Sequence, residues 1–257
     1  MIGILLHLAG PMQSWGIAAA FNDRDTHRYP TRSGLFGLIS SAHGHPRTTP
    51  LDARWDKLVL TVRIDRPGVR MSDFHTVGGG RRPEQTVPTS EGKRRSLDTA
   101  TITSRRHYLA DAAFTAALEG PAEVITGIAA ALAHPVWAPY LGRRSCPAEA
   151  PLLLTPAPIE HAAAELDHLP LARPAPRGKD KTTVSVEFVL EAPPGPQEEV
   201  CRSEELPDLP SSFHPHERAH HDRRVYLHTR ALPAALCGGY GSDYLTALHT
   251  YLESTTS

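Results

Sequence analysis

Residues 2–9, IGILLHLA, form an apolar run that stops on Gly10-Pro11. A continuous apolar run of this length, closed by glycine and proline, carries the signature of a buried strand. In the overlapping stretch LAGPMQSWG (8–16), Trp15-Gly16 follows almost at once and sets a large ring just outside the strand's end. Downstream, SGLFGLISSAH (33–43) spaces Leu35, Leu38, Ile39 and Ala42 as one face of a helix, with Thr31 or Ser33 as N-cap. KLVLTVRID (57–65) alternates Leu58, Leu60, Val62 and Ile64 with polar neighbours, which predicts a half-buried strand. Pro67-Gly68 then predicts a turn into VRMSDFHTV (69–77) as its hairpin partner.

After a polar stretch, RHYLADAAFTAAL (106–118) resumes a strand-like pattern, and PAEVITGIAAALAHP (121–135) predicts a helix opened by Pro121 and closed before Pro135. A further strand is expected around APLLLT (150–155). Strand, helix, strand, strand, insertion, resumed strand, helix, strand is a split β-α-β-β-α-β unit, the ferredoxin-like plan that RNA-recognition (RRM) modules share. The expected fold is therefore α+β. Residues 1–160 form the ferredoxin-like domain, interrupted at 78–104, and residues 161–257 form a smaller, loop-rich C-terminal β region. Its surest strands are TTVSVEFVL (182–190) and RVYLHT (224–229).

The 257 residues are 40% hydrophobic and 21% charged, which excludes a disordered or fibrous class. No apolar run approaches the roughly 18 residues that cross a bilayer. The opening MIGILLHLAG lacks a basic region and a small-residue cleavage site, so it is expected to be structure rather than address. Three scattered cysteines, Cys146, Cys201 and Cys237, fit a reducing cytoplasm without disulfides or a zinc-type pair. Net charge is -1 and predicts no partner, but its distribution is uneven. Between Gly78 and Tyr108 lie Arg81, Arg82, Lys93, Arg94, Arg95, Arg105 and Arg106, against only Glu84, Glu91 and Asp98. A basic, mobile arm in a near-neutral protein suits phosphate binding; the alternative is a solvated loop with incidental charge.

The chain has no Walker loop, dinucleotide fingerprint or nucleophile elbow. TVGGGRR (76–82) lacks a flanking strand and helix and reads as a hinge, though its amides could still meet a phosphate. In FHPHERAHHDRR (213–224), a helix would put His216 and His220 on one face as in zinc hydrolases. The residue order departs from that motif and Pro215 precedes it, so an exposed polar segment is expected and no metal. Two other stretches set arginine beside aromatics. PYLGRRSCP (139–147) groups Tyr140, Arg143 and Arg144 around Gly142, and SRRHYLAD (104–111) groups Arg105, Arg106, His107 and Tyr108. Guanidinium forks hold phosphates while rings stack on unpaired bases, the combination that single-stranded RNA requires. Trp15 with Arg28 and Arg32 makes a third such grouping. For any one pair, half-buried tyrosines rimmed by surface arginines would look the same.

LAGPMQSWG, YPTRSGLFGLISSAHG (29–44), DFHTVGG (73–79), RHYLADAAFTAAL and PYLGRRSCP occur in that order across residues 6–147. In them the chain resembles the fifth CRISPR-associated protein family in its type I-E (CasD) form. Residues 155–257 match only loosely, through LPSSF (209–213) and RRVYL (223–227). The resemblance implies a cytoplasmic subunit of the Cascade antiviral complex, with no cofactor. Its RNA-recognition domain would carry a β-hairpin thumb at 78–104 and grip the 5′ handle of the CRISPR RNA. It would cap the filament of backbone subunits beside the large subunit, and so meet target DNA only indirectly.

By position, the resemblance implies that Gln13, Ser14 and Trp15 face the handle, and that Arg28, Thr31, Arg32 and Ser33 offer a helix N-terminus to phosphate. Arg81, Arg82, Lys93, Arg94 and Arg95 would lie over the RNA. Arg105, Arg106, His107 and Tyr108 would grip at the thumb's base, with Tyr140, Arg143 and Arg144 on the handle backbone. The alternative is a metal-independent endoribonuclease, because the type I-C branch cuts the repeat itself. That chemistry needs a base, an acid and a cation at the 2′-hydroxyl, for which His43, His45 and His107 are candidates. In type I-E a separate subunit cuts, so a non-catalytic role is expected.

Overall fold

The computed structural model describes every residue except 18, 21, 90, 150, 179–180, 196–201 and 257; Cys201, Ser90 of the basic insertion and Ala150 of APLLLT therefore lie outside the described residues. In chain order the elements are β1 (Ile2–Ala9), β2 (Met12–Gln13), β3 (Ala19–Ala20), β4 (Asp23–Arg24), α1 (Arg32–Ala42), β5 (Val59–Arg66), β6 (Val69–Val77), β7 (Ile102–Ala110), β8 (Ala113–Gly120), α2 (Ala122–Ala133), β9 (Ile159–Glu160), α3 (Ala162–Glu165), β10 (Thr183–Leu190), β11 (Arg202–Ser212), β12 (Ala219–Pro233) and α4 (Gly241–Thr256).

β1 is the buried strand its sequence predicts. It pairs antiparallel with β8 over all eight positions, from Ile2↔Gly120 to Ala9↔Ala113. Successive side chains of a strand alternate between faces, and here both faces are covered. Ile4, Leu6 and Leu8 pack with Leu35 and Ile39 of α1 and Ile125 of α2. Leu5 and Ala9 pack instead with Leu166, Leu169 and, on α4, Tyr244 and Leu248. That is why the run shows no polar alternation. β1 sits in a seven-stranded antiparallel sheet of order β11-β12-β10-β5-β8-β1-β9. A second, smaller sheet runs β2-β7-β4-β3, with β6 on β7. No helix among the described residues is long and apolar enough to cross a membrane.

Both helices predicted from periodicity form within a residue of their expected bounds, and Thr31 caps α1 by accepting from the Gly34 amide at 3.3 Å. Three strand expectations need correction. Pro67-Gly68 does not fold β6 back on β5, because β8 and β10 already occupy both edges of β5. The turn hands the chain to the second sheet, and β6 pairs with β7 from Val69↔Ala110 to Val77↔Ile102. RHYLADAAFTAAL is not one strand, since Asp111 at φ 53° breaks it into the end of β7 and the start of β8. APLLLT keeps one isolated bridge to β1, Leu6↔Leu153, because the prolines around it cannot donate to a ladder; β9 supplies the regular pairing.

The C-terminal third carries strands of 8, 11 and 15 residues, and they extend the main sheet beyond β5. The basic insertion, expected to be a mobile arm, occupies the tip of the β6–β7 hairpin and closes on itself. The Thr86 hydroxyl donates to Arg95 O at 2.9 Å and the Thr89 amide to Lys93 O at 2.7 Å.

Candidate nucleic-acid interface

Trp15 is fully buried, and so is Gln13. The indole Nε1 donates to Gln13 Oε1 at 2.9 Å, and the Gln13 amide donates to Leu8 O and Ala112 O at 2.8 Å each. The ring lies against the first turn of α1 so closely that a Cβ on Gly34 would stand 2.8 Å from it. Ser14 is buried too, its hydroxyl donating to His107 O. The expectation that Gln13, Ser14 and Trp15 face RNA is therefore corrected. Their polar groups satisfy backbone where β1 ends, and Trp15 braces strand to helix.

The α1 N-terminus is likewise occupied from within the chain. Asp208 of β11, fully buried, accepts from the Arg32 amide at 2.8 Å. The Arg32 guanidinium is buried: Nη1 reaches both Glu191 oxygens at 2.6 Å, and Nη2 donates to Trp55 O and Leu58 O at 3.0 Å. Arg223 completes the cluster, pairing with Asp208 at 2.6 Å and Glu191 at 2.8 Å. Arg32 thus ties helix to sheet while Thr31 caps the helix and Ser33 is buried beside it, and a carboxylate already fills the place expected for phosphate. Arg28 is exposed but pairs with Glu187 at 2.8 Å.

Beside this platform runs a groove of about 1180 Å³. Five arginines line it: Arg24, Arg47, Arg143, Arg144 and Arg218. Two carboxylates face them, Asp25 and Asp52, and Arg54 holds Asp52 through bonds of 2.8–3.1 Å. Hydrogen bonds from Arg54 keep the Asp52 carboxyl below its ordinary range. The Arg218 guanidinium pKa is pulled down by partial desolvation, then by the like charges of Arg47 and Arg24. Like charges brought together in this way form a potential that an anion would relieve.

The turn Tyr140–Pro147 builds one wall. Gly142 adopts φ 84° and approaches Ser14 so closely that a Cβ would lie 1.7 Å from Ser14 O. Only glycine fits there. Ser14 N donates to Leu141 O at 3.0 Å, and Cys146 N to Arg143 O at 2.8 Å. Arg143 lies 4.7 Å over the buried Tyr108 ring and donates to Arg24 O and Asp25 O, while its buried Nη1 has no hydrogen-bond partner among the described residues. A smaller recess of about 400 Å³ adjoins the groove, where Arg106 joins Arg47, Tyr140, Arg143, Arg144 and Ser145.

Of the residues singled out from sequence, the groove and its recess bring together Arg106, Tyr140, Arg143 and Arg144; the buried Ser14, Trp15, Thr31 and Ser33 also line the groove, as does His45. Arg105 is exposed on β7 outside both, and His107 is held by Asp23 at 3.0 Å. Arg81, Arg82, Lys93, Arg94 and Arg95 stay on the hairpin tip, where Arg94 donates to Thr86 O and Lys93 pairs with Glu91. Sequence reasoning missed Arg24, Arg47, Arg218 and Trp137, which also lines the groove. Each stands alone in its stretch, and only the fold assembles them.

His216 and His220 are not on a helix: residues 215–217 form a turn and His220 lies in β12. No three His, Cys, Asp or Glu side chains gather as a metal site among the described residues. His43 and His45 stack at 5.1 Å beside Trp55, where burial lowers the His43 pKa.

The family model described as CRISPR-associated protein (Cas_Cas5) matches residues 3–226. The CRISPR system Cascade subunit CasD of Escherichia coli strain K12 is 40% identical over 166 residues, 59% of this chain and 69% of that protein. A solved structure titled as a CRISPR RNA-guided surveillance complex matches with TM-score 0.86 and 45% identity, over 98% of this chain and 99% of its own. A crystal structure of a Cas protein matches with TM-score 0.60 and 27% identity, over 93% and 98%. By these matches the chain belongs to the Cas5 family of CRISPR-associated proteins.

Proposed function

We propose that this chain is a non-catalytic RNA-binding and scaffolding subunit of a type I-E Cascade complex, holding the 5′ handle of the CRISPR RNA. The observation that carries the reading is the groove, where five arginines from four parts of the chain converge at and beside a turn that only Gly142 permits. The β5-β8-β1-β9 order, with α1 and α2 as crossovers, supports a ferredoxin-like domain, and the β6–β7 hairpin is the candidate thumb. Its partners would be the backbone and large subunits, with target DNA met indirectly, in the cytoplasm.

The test is salt dependence of handle-RNA binding. Arg143 is partly engaged with backbone carbonyls, which leaves four groove arginines for phosphates. At about 0.7 per contact for a single strand, log affinity against log salt should slope near -2.8, a loss of about fifty-fold from 50 to 200 mM. Replacing Arg47 and Arg144 by alanine should halve the slope. Binding indifferent to salt refutes the groove. Incubation with repeat RNA and EDTA should give no discrete cut, and a cut at the handle boundary lost in His107→Ala would establish the endoribonuclease instead.

A further inference from the structure

We infer that Trp137 is a stacking platform for one unpaired base of the RNA in the groove, an inference that rests on the handle-binding reading above. The chain has three tryptophans, and two are core: Trp15 is 0% exposed and Trp55 5%. Trp137 is 48% exposed and lines the groove together with Arg47, Tyr140 and Arg144. An indole left in water at the wall of a cationic groove gains by covering its face, and every base offers a matching π-surface.

The segment that carries it is fixed beforehand. The Val136 amide donates to Ala42 O at 2.9 Å, at the end of α1. The Val136 side chain seats over Gly44, where a Cβ would come within 2.8 Å of it. Pro135 and Pro139 bracket the stretch and restrict its backbone. The ring is presented without a loop having to order on binding, which preserves affinity. Val136 is itself 64% exposed, so a protein partner could also cover this pair. The arginines that line the same groove favour RNA, because they supply phosphate contacts while the ring takes a base.

The experiment compares wild type, Trp137→Ala and Trp137→Phe on handle RNA carrying 2-aminopurine at successive positions. Wild type should quench the fluorophore at one position, and the alanine variant should lose that quenching and about 5- to 150-fold in affinity. Phenylalanine should restore most of both, and the salt slope should stay that of wild type, since no phosphate contact is removed. If wild type binds but the alanine variant binds equally, the stacking role is overturned and the handle reading stands. If the alanine variant binds RNA normally but fails to assemble with the other subunits, Trp137 is a protein contact and the inference is wrong. If wild type does not bind the handle, both fall.

Discussion

Replacing Gly142 with alanine tests the joint between packing and site. The new methyl would sit 1.7 Å from Ser14 O, so the turn must open by more than about 1 Å to reach any allowed contact. That movement breaks the 3.0 Å bond from Ser14 N to Leu141 O. An L-residue held in the left-handed region costs about 1–2 kcal/mol, and an orphaned buried amide about 1–3 kcal/mol more. About 3 kcal/mol is the central expectation, a drop of roughly 6–12 °C in melting temperature for a chain of this size. Arg143 and Arg144 move with the turn, so handle-RNA affinity measured below the melting range by fluorescence anisotropy should also fall. Gly127→Ala is the control: nothing lies within 4 Å of its Cβ on α2, and the exchange should raise stability by about 0.5–1 kcal/mol. A Gly142→Ala protein that melts within about 2 °C of wild type and binds RNA equally would refute the reasoning.

Glu191→Gln leaves the buried Arg32 guanidinium without a carboxylate and Arg223 with Asp208 alone, and should cost about 3 kcal/mol in urea unfolding, whereas Glu187→Gln, at the exposed pair with Arg28, should cost under about 1 kcal/mol. Burial lowers the His7 pKa to about 4, against an opposing pull from Asp65 and a supporting push from Arg66 and Arg63; its ring lies near the Tyr244 hydroxyl. The folded state therefore keeps His7 neutral where the unfolded chain protonates it. Stability is full above about pH 6.5 and falls by on the order of 3 kcal/mol toward pH 4, a loss that His7→Asn should abolish relative to its own value at pH 7.5. Trp15→Phe removes the bond to Gln13 and should lower stability by about 1–3 kcal/mol, with RNA affinity of the folded protein changed less than about twofold; a large affinity loss without destabilisation would show that the indole touches RNA after all.

The arginines show why a sequence reading reaches some of the site and not the rest. Arg143 and Arg144 were legible because Gly142 sits beside them and the turn is local. Arg32 looked the same in PTRSG, yet its carboxylate partner is Glu191, 159 positions away, and Asp208 closes the helix end from farther still. Nothing in the neighbourhood of a guanidinium reports which distant acid it will meet. Arg24, Arg47, Arg218 and Trp137 are the converse: none was singled out for RNA from its own stretch, and they line one groove only after folding. The same holds for β6, whose strand character was plain but whose partner depended on β5 having both edges filled.

Local physics settled three elements by itself: the run closed by Gly10-Pro11, the helical spacing behind Thr31, and the proline-bounded helix before Pro135. Those signals depend on backbone geometry and solvent contact within a few residues, which sequence order encodes directly. Tertiary structure alone decided which polar side chains face solvent and which are consumed inside, because burial and ion pairing depend on residues brought together from across the chain. Trp15, outside its strand in the sequence, turned out to be a brace within the core, and the exposed indole is Trp137.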